Sequence, residues 1–241
     1  MDPIKLARAL WPEVRFYGKQ KQVVRSVWSD DETVVPAGNM LGKDFVAGRV
    51  VVLFFLSHRP CRVITTSTKD DHLRVLWGEI GEAIRTSEQP LLYKDGGTLI
   101  KNHREITRMY RGEKSELCYV RGMVASEETA ASLQGHHARY TLFVSDESSG
   151  VNNLYFKMVD SWAKRKLILG NTWPCENYFY RSVNGDVSRG DPGGDIPYGS
   201  LGIEKIGVSG TGGGRLKLSR GKGSNGSRAG GRKEKRKKES N

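Results

Sequence analysis

The sequence predicts an α/β fold, a mostly parallel sheet flanked by helices, on three observations. Short apolar, β-rich runs alternate with helical stretches along most of the chain. A glycine-containing turn ending in Gly42-Lys43 lies between an apolar strand and a long helix. Well downstream, a second apolar strand runs into the acidic pair Asp146-Glu147, which would deliver both carboxylates to the carboxyl edge of the sheet, where open α/β folds bind ligands.

In chain order, the first strand expected is Thr33 to Pro36, followed by a helix from Lys43 to Ser57. A strand at Arg62 to Thr66 leads into a helix at Lys69 to Arg85, where Leu73, Leu76, Trp77, Ile80 and Ile84 recur at spacings of three and four and give one buried face. Pro90, Gly96, Gly97 and many charges between 87 and 116 predict loops with a short hairpin. The remaining strands expected are Leu117 to Arg121, Tyr140 to Ser145 and Lys166 to Leu169.

At 241 residues, 37% hydrophobic and 27% charged, the chain has room for a sizeable core. Its longest apolar run, Val50 to Leu56, is far short of the ~20 residues of a membrane span. With Met1-Asp2-Pro3 giving no leader pattern, the expectation is a cytoplasmic protein without a membrane partner. Cys61, Cys118 and Cys175 are too widely spaced for a disulfide framework or a zinc site and read as buried thiols.

The net charge of +12 would ordinarily point to nucleic acid, but residues 201 to 241 hold 12 Lys/Arg against 3 Asp/Glu, so nine of the twelve charges belong to that end. From about Gly185 the chain also carries 16 of the 29 glycines. Such a segment is unable to offset chain entropy by burial, which predicts a domain over 1–185 and a disordered, Gly-rich basic tail over 186–241. The tail either binds polyanions nonspecifically or is simply solvated.

Three motifs have chemical content. Ala37-Gly38-Asn39-Met40-Leu41-Gly42-Lys43-Asp44 has the setting of a phosphate-binding loop, in which backbone N–H groups and a helix N-terminus cradle phosphates and a lysine reaches the β/γ oxygens. Ala37 stands where that pattern has its first glycine, and Asp44 where it has Ser or Thr. Asp44 either ligates Mg²⁺ directly or weakens the site by setting a negative charge beside the triphosphate. In the second motif, Asp146 would hold Mg²⁺ and Glu147 would orient and deprotonate the attacking water. The third, Leu169-Gly170-Asn171, ends an apolar strand in an amide able to sense the γ-phosphate or the lytic water.

The succession Gln20 to Val24, Ala37 to Asp44, Thr65 to Thr68 leading into Leu76 to Ile80, Leu133-Gln134-Gly135-His136-His137, Phe143 to Glu147 and Leu169-Gly170-Asn171 closely resembles phage terminase large-subunit ATPases, over roughly residues 10 to 182. The resemblance implies a P-loop NTPase fold of the additional-strand, RecA-like type that hydrolyses Mg²⁺-ATP to drive double-stranded DNA into a capsid. It assigns adenine recognition to Gln20, with Tyr17 as a stacking surface. Lys43 becomes the phosphate-loop lysine, Asp146 the metal acid, Glu147 the catalytic acid and Gly170-Asn171 the coupling motif. It further implies portal protein and small-subunit partners, a homo-oligomeric ring when active, and a host-cell location. An arginine is also required, for which Arg121 and Arg139 are the candidates; His136 contributes inter-motif contacts.

A complete terminase continues into a nuclease domain with clustered acids. Here Asp186, Asp191, Asp195, Glu204, Glu234 and Glu239 lie in a glycine-rich setting, so nuclease activity is not expected, and the gene reads as truncated or frame-shifted, with a separately encoded nuclease partner as the alternative. The alternatives are an inactive remnant that binds DNA or a phage partner through the basic tail, and a helicase-like ATPase.

Overall fold

The computed structural model describes residues 1–38, 41–171 and 176–184, together with the backbone of 203–205. By its contacts the chain divides into Met1–Gly210 and Thr211–Asn241, and every described residue belongs to the first unit. Its helices are α1 (Pro3–Leu10), α2 (Gly18–Ser29), α3 (Lys43–Ser57), α4 (Asp70–Arg85), α5 (Glu127–Ala130), α6 (Asn153–Asp160) and α7 (Tyr178–Asn184). The strands are β1 (Glu32–Pro36), β2 (Cys61–Ser67), β3 (Leu99–Lys101), β4 (Glu105–Tyr110), β5 (Glu113–Val124), β6 (Tyr140–Ser145), β7 (Arg165–Gly170) and β8 (Ile203–Lys205).

All strands form one sheet in the order β3-β4-β5-β2-β6-β7-β1-β8. The run from β5 to β8 is parallel, whereas β4 pairs antiparallel with both β3 and β5. β7 therefore lies between β1, which leads into the glycine turn, and β6, which leads into Asp146. This is the mostly parallel, additional-strand arrangement expected.

The five expected strands all form, each within a few residues of its predicted bounds, and α3 spans the predicted 43–57. In the segment 87–116 the expected short hairpin forms, β3 pairing antiparallel with β4. Leu99 of β3 and Ile106 of β4 are buried and give these strands an apolar face, and both strands extend the sheet.

Period-two alternation sorts the strand residues between two cores. Val35, Val63, Leu142, Val144, Leu167 and Leu169 face the cluster made with α1 to α4, while Val34, Ile64, Phe143 and Ile168 face Tyr155, Phe156, Tyr178 and Phe179 of α6 and α7. The central helix α3 is buried on nearly every side, from Val46 to Phe55, which accounts for its uniformly apolar sequence. Its one interior charge, Arg49, lies over the Phe45 ring at 3.5 Å and 3.4 Å from Glu79. The α1 helix is fixed by Asp2, which accepts from the Ile4 N–H at 2.9 Å, and by Trp11, whose indole N–H donates to the Ala83 carbonyl of α4 at 2.8 Å.

Within the segment expected to be a disordered tail, β8 pairs parallel with β1, Ile203 opposite Glu32 and Lys205 opposite Val34. The outer edge of β1 presents unpaired backbone groups, and a strand added there satisfies them. The rest of 186–241 lies outside the described residues. Cys61 and Cys118 are free buried thiols, as expected, and Cys175 is outside the described residues. Among the described residues no helix is long and apolar enough to cross a membrane.

Candidate functional site

Because β1, β2, β6 and β7 are parallel neighbours, their carboxyl ends meet along one edge. Ala37 follows β1, Asp146 and Glu147 follow β6, and Asn171 follows β7. Ala37 continues the β1 ladder by donating its N–H to the Gly170 carbonyl at 3.0 Å. It does not occupy the left-handed region, so a methyl group is tolerated where the motif has glycine.

Gly42 is left-handed (φ 71°, ψ 31°) and caps α3, and a Cβ there would sit 3.0 Å from Nε2 of Gln20. The backbone conformation favours glycine at this position, and a side chain would in addition press on the Gln20 amide. Gln20 is buried, with its amide oxygen 3.4 Å from the Tyr17 N–H, and the half-exposed Tyr17 donates its hydroxyl to the Leu41 carbonyl at 3.0 Å. Tyr17, Gln20, Ala37, Leu41, Gly42 and Lys43 thus line one recess at the start of α3. Asn39 and Met40 of the loop lie outside the described residues.

The lysine and the acids, about a hundred positions apart in sequence, converge. The Lys43 ammonium donates to Oε1 of Glu147 and lies 3.8 Å from Oδ1 of Asp146, and both Lys43 and Asp146 are buried. Asp44, in the first turn of α3, lies close enough to Asp146 for the two carboxyl groups to influence each other's charge. Burial pushes the Asp44 carboxyl up, against the pull of Lys43 and with the repulsion of Glu147. Burial, then the charge of Asp44, raises Asp146 to about 7, with Lys43 opposing. Three carboxylates therefore face one ammonium, and the cluster lacks positive charge.

The donor set fits a hard cation. Oδ1 of Asp44 and Oδ1 of Asp146 are both buried without a hydrogen-bond partner, which is the state of an oxygen suited to ligate a metal. Among the described residues no three His, Cys, Asp or Glu side chains form a metal cluster.

Glu147 is left-handed (φ 49°, ψ 43°), a conformation that costs a non-glycine residue about 1–2 kcal/mol. It opens a turn, Ser148–Gly150, in which the Ser148 hydroxyl bonds to the Ser145 carbonyl at 2.9 Å and its hydroxyl at 2.7 Å. Strain held in place by such contacts recurs at functional positions.

The remaining candidates lie apart from this edge. His136 is buried between the Tyr119 hydroxyl (2.6 Å) and the Ser132 carbonyl (3.0 Å), with Trp162 edge-on at 5.3 Å, and holds the turn before β6. Arg121 projects from β5, paired with Glu105 at 3.2 Å and over Tyr119 at 4.3 Å. Arg139 precedes β6, at the opposite end of that strand from Asp146, with its guanidinium over Tyr140 at 5.4 Å. Neither arginine joins the acids within the described chain. Of the acids weighed for nuclease chemistry, Asp186, Asp191, Asp195, Glu234 and Glu239 lie outside the described residues, and only the backbone of Glu204 is described.

Sequence reasoning missed Asn177, just before α7. Its side-chain N–H₂ donates to the Ser148 carbonyl at 2.7 Å and the Val151 carbonyl at 3.0 Å. The available signal was only a helix-capping residue type ahead of an aromatic run.

No family model and no curated protein matches the sequence. Solved structures do. The ATPase domain of the Thermus phage P74-26 large terminase superposes with a TM-score of 0.61 in an arginine-to-alanine mutant, at 14% identity over 86% of each chain. The large terminase of a thermophilic bacteriophage in complex with ADP gives 0.51 at 15% identity, over 80% of this chain and 46% of that one. The HK97 bacteriophage large terminase gives 0.50 at 12% identity, over 71% of this chain and 37% of that one. At these identities the likeness is one of fold. The described domain has the fold of phage large-terminase ATPase domains.

Proposed function

We propose that this chain is the ATP-hydrolysing motor domain of a DNA-packaging terminase large subunit, with Lys43, Asp44, Asp146, Glu147 and Asn171 as its reactive groups. The observation that supports it is the convergence of Lys43 from the glycine turn on the acids after β6. ATP would enter by the recess of Tyr17 and Gln20, with its phosphates over the N-terminus of α3, a reading that the ADP complex of the thermophilic phage terminase also supports. A triphosphate adds negative charge to a site that already lacks positive charge. Asp44 and Asp146 would hold Mg²⁺, which supplies the missing charge at the β/γ oxygens when bound.

Lys43 engages Glu147, and phosphate oxygens would compete for the same ammonium. Drawing Lys43 onto the phosphates frees Glu147 to accept a proton from water at its carboxylate, while Asn171, at the end of the neighbouring strand, orients that water or the γ-phosphate. Nucleotide binding and activation of the base are thus two consequences of one lysine movement. Double-stranded DNA, portal protein and small terminase subunit are the proposed partners, and a ring of copies the active assembly, supplying the missing arginine in trans.

The test is Mg²⁺-dependent ATP hydrolysis by the purified chain with and without double-stranded DNA, beside Lys43→Ala and Glu147→Gln. Each substitution is expected to lower kcat by about 10²- to 10⁴-fold. Glu147→Gln should still bind nucleotide, because Lys43 is released from its carboxylate partner, whereas Lys43→Ala should bind poorly. Folded wild-type protein that neither binds nor hydrolyses ATP would instead favour the inactive-remnant reading, to which the crowding of Asp44 against Asp146 lends support.

A further inference from the structure

We propose that Asn177 is a positioning residue for Glu147, its carboxamide clamping both ends of the turn that holds this acid in its left-handed conformation; this rests on the reading of Glu147 as the hydrolytic base. Within the chain's own turn, the Gly150 N–H donates to the Glu147 carbonyl at 3.1 Å and the Val151 N–H to the Ser148 carbonyl at 3.2 Å, while the Ser148 hydroxyl holds the end of β6. Asn177 adds donors from outside, 2.7 Å to the Ser148 carbonyl and 3.0 Å to the Val151 carbonyl, so one amide group spans the turn.

The same side chain accepts the Tyr180 N–H at 3.2 Å through its oxygen and so caps α7. Only a carboxamide donates twice and accepts in this geometry. Asn177 lies six residues beyond Asn171 in sequence and bonds to the turn that follows Glu147.

The chemistry supplies a selective variant. Asn177→Asp keeps an acceptor for the Tyr180 N–H but has no donor for either carbonyl. Asn153→Ala is the control. It removes the other side-chain contact at the start of α7, the Tyr178 N–H to Asn153 Oδ1 bond at 2.7 Å, and leaves the clamp intact. On the full chain, the measurements are kcat and KM for Mg²⁺-ATP with double-stranded DNA, melting temperature, and hydrogen exchange of the amides between 147 and 151.

The expected result for Asn177→Asp is a fall in kcat of about 10- to 100-fold with KM within about twofold, together with faster exchange in that segment. Asn153→Ala should change neither, at comparable melting temperatures. Unchanged exchange in Asn177→Asp, unchanged kcat, or an equal loss of kcat in Asn153→Ala would each overturn the proposal, the last by showing that docking of α7 matters and the clamp does not. Failure of the underlying reading is separately visible as a wild-type chain without turnover. Exchange then decides the clamp alone, faster rates upholding it and unchanged rates overturning it.

Discussion

Asp146→Asn is expected to make the nucleotide-free protein more stable at pH 8 while removing its hydrolysis. Burial and the neighbouring Asp44 raise the Asp146 carboxyl from 3.8 to about 7. An acid whose folded value is raised binds its proton more tightly in the native state, so stability falls as pH rises between the two values. The penalty is absent below about pH 4, grows across the window and is complete above about pH 7. At 1.36 kcal/mol for each unit, the ionised carboxylate destabilises the fold by at most about 4 kcal/mol at pH 8. An amide of the same shape has no such penalty and relieves Asp44 as well.

Thermal melts should therefore show the variant about 5–10 °C above wild type at pH 8, with the gap closing towards pH 4. Mg²⁺ should raise the wild-type melting temperature at pH 8 and leave the variant's nearly unchanged, since a ligand stabilises only the state that binds it. ATP hydrolysis should fall by at least about 100-fold. A variant less stable than wild type at pH 8 would mean that Asp146 is held by compensating bonds, and would count against the metal-holding role proposed for it.

Lys166→Met is expected to have the largest effect on stability without touching the reactive groups. The Lys166 ammonium is buried, 2.5 Å from Oδ1 of Asp160, 2.9 Å from Oε2 of Glu32 and 3.1 Å from the Tyr178 hydroxyl. Tyr178 donates to Glu32 at 2.6 Å, and Ser182 reaches the other oxygen of that carboxylate at 3.2 Å. One lysine thus serves two buried acids and ties β1, β7, α6 and α7 together. Although burial disfavours its charge, Glu32, Tyr178 and Asp160 together raise its pKa above the ordinary 10.5. Its contribution is full below that value and is lost only as pH rises through the higher folded one.

Methionine fills the space but leaves two buried carboxylates without a counter-charge, which costs about 3–5 kcal/mol. In a domain of this size the melting temperature should fall by roughly 10 °C, equally at pH 6 and pH 9. Adding Glu32→Gln should recover part of the loss, because one of the two orphaned charges is removed. A loss below about 1 kcal/mol would show that water or rotation of the acids compensates.

The fold was largely legible in the sequence because its signals are local. Leu73, Leu76, Trp77, Ile80 and Ile84 announce one buried helical face, and the runs 140–145 and 166–169 announce strands through continuous apolar character. The short strands β3 and β4 were less legible: an edge strand of three to six residues has one buried face, and the prolines, glycines and charges around it dominate its composition. β8 was hidden for the same reason, since three residues paired with an edge leave no periodicity to detect.

Sequence by itself determined which residues carry charge or hydroxyl groups and in what order they follow their strands. From this Lys43, Asp146, Glu147 and Asn171 could be placed at the carboxyl edge of a parallel sheet. Only the tertiary structure decided that Lys43 rests on Glu147, that Asp44 and Asp146 share a buried space that raises the proton affinity of both, and that Asn177 returns to hold the turn. The physical reason is that strand and helix signals arise within a few residues of chain. Burial, ion pairing and hydrogen bonding instead depend on distances between groups about a hundred positions apart, which are set only when the sheet order brings β1, β6 and β7 side by side.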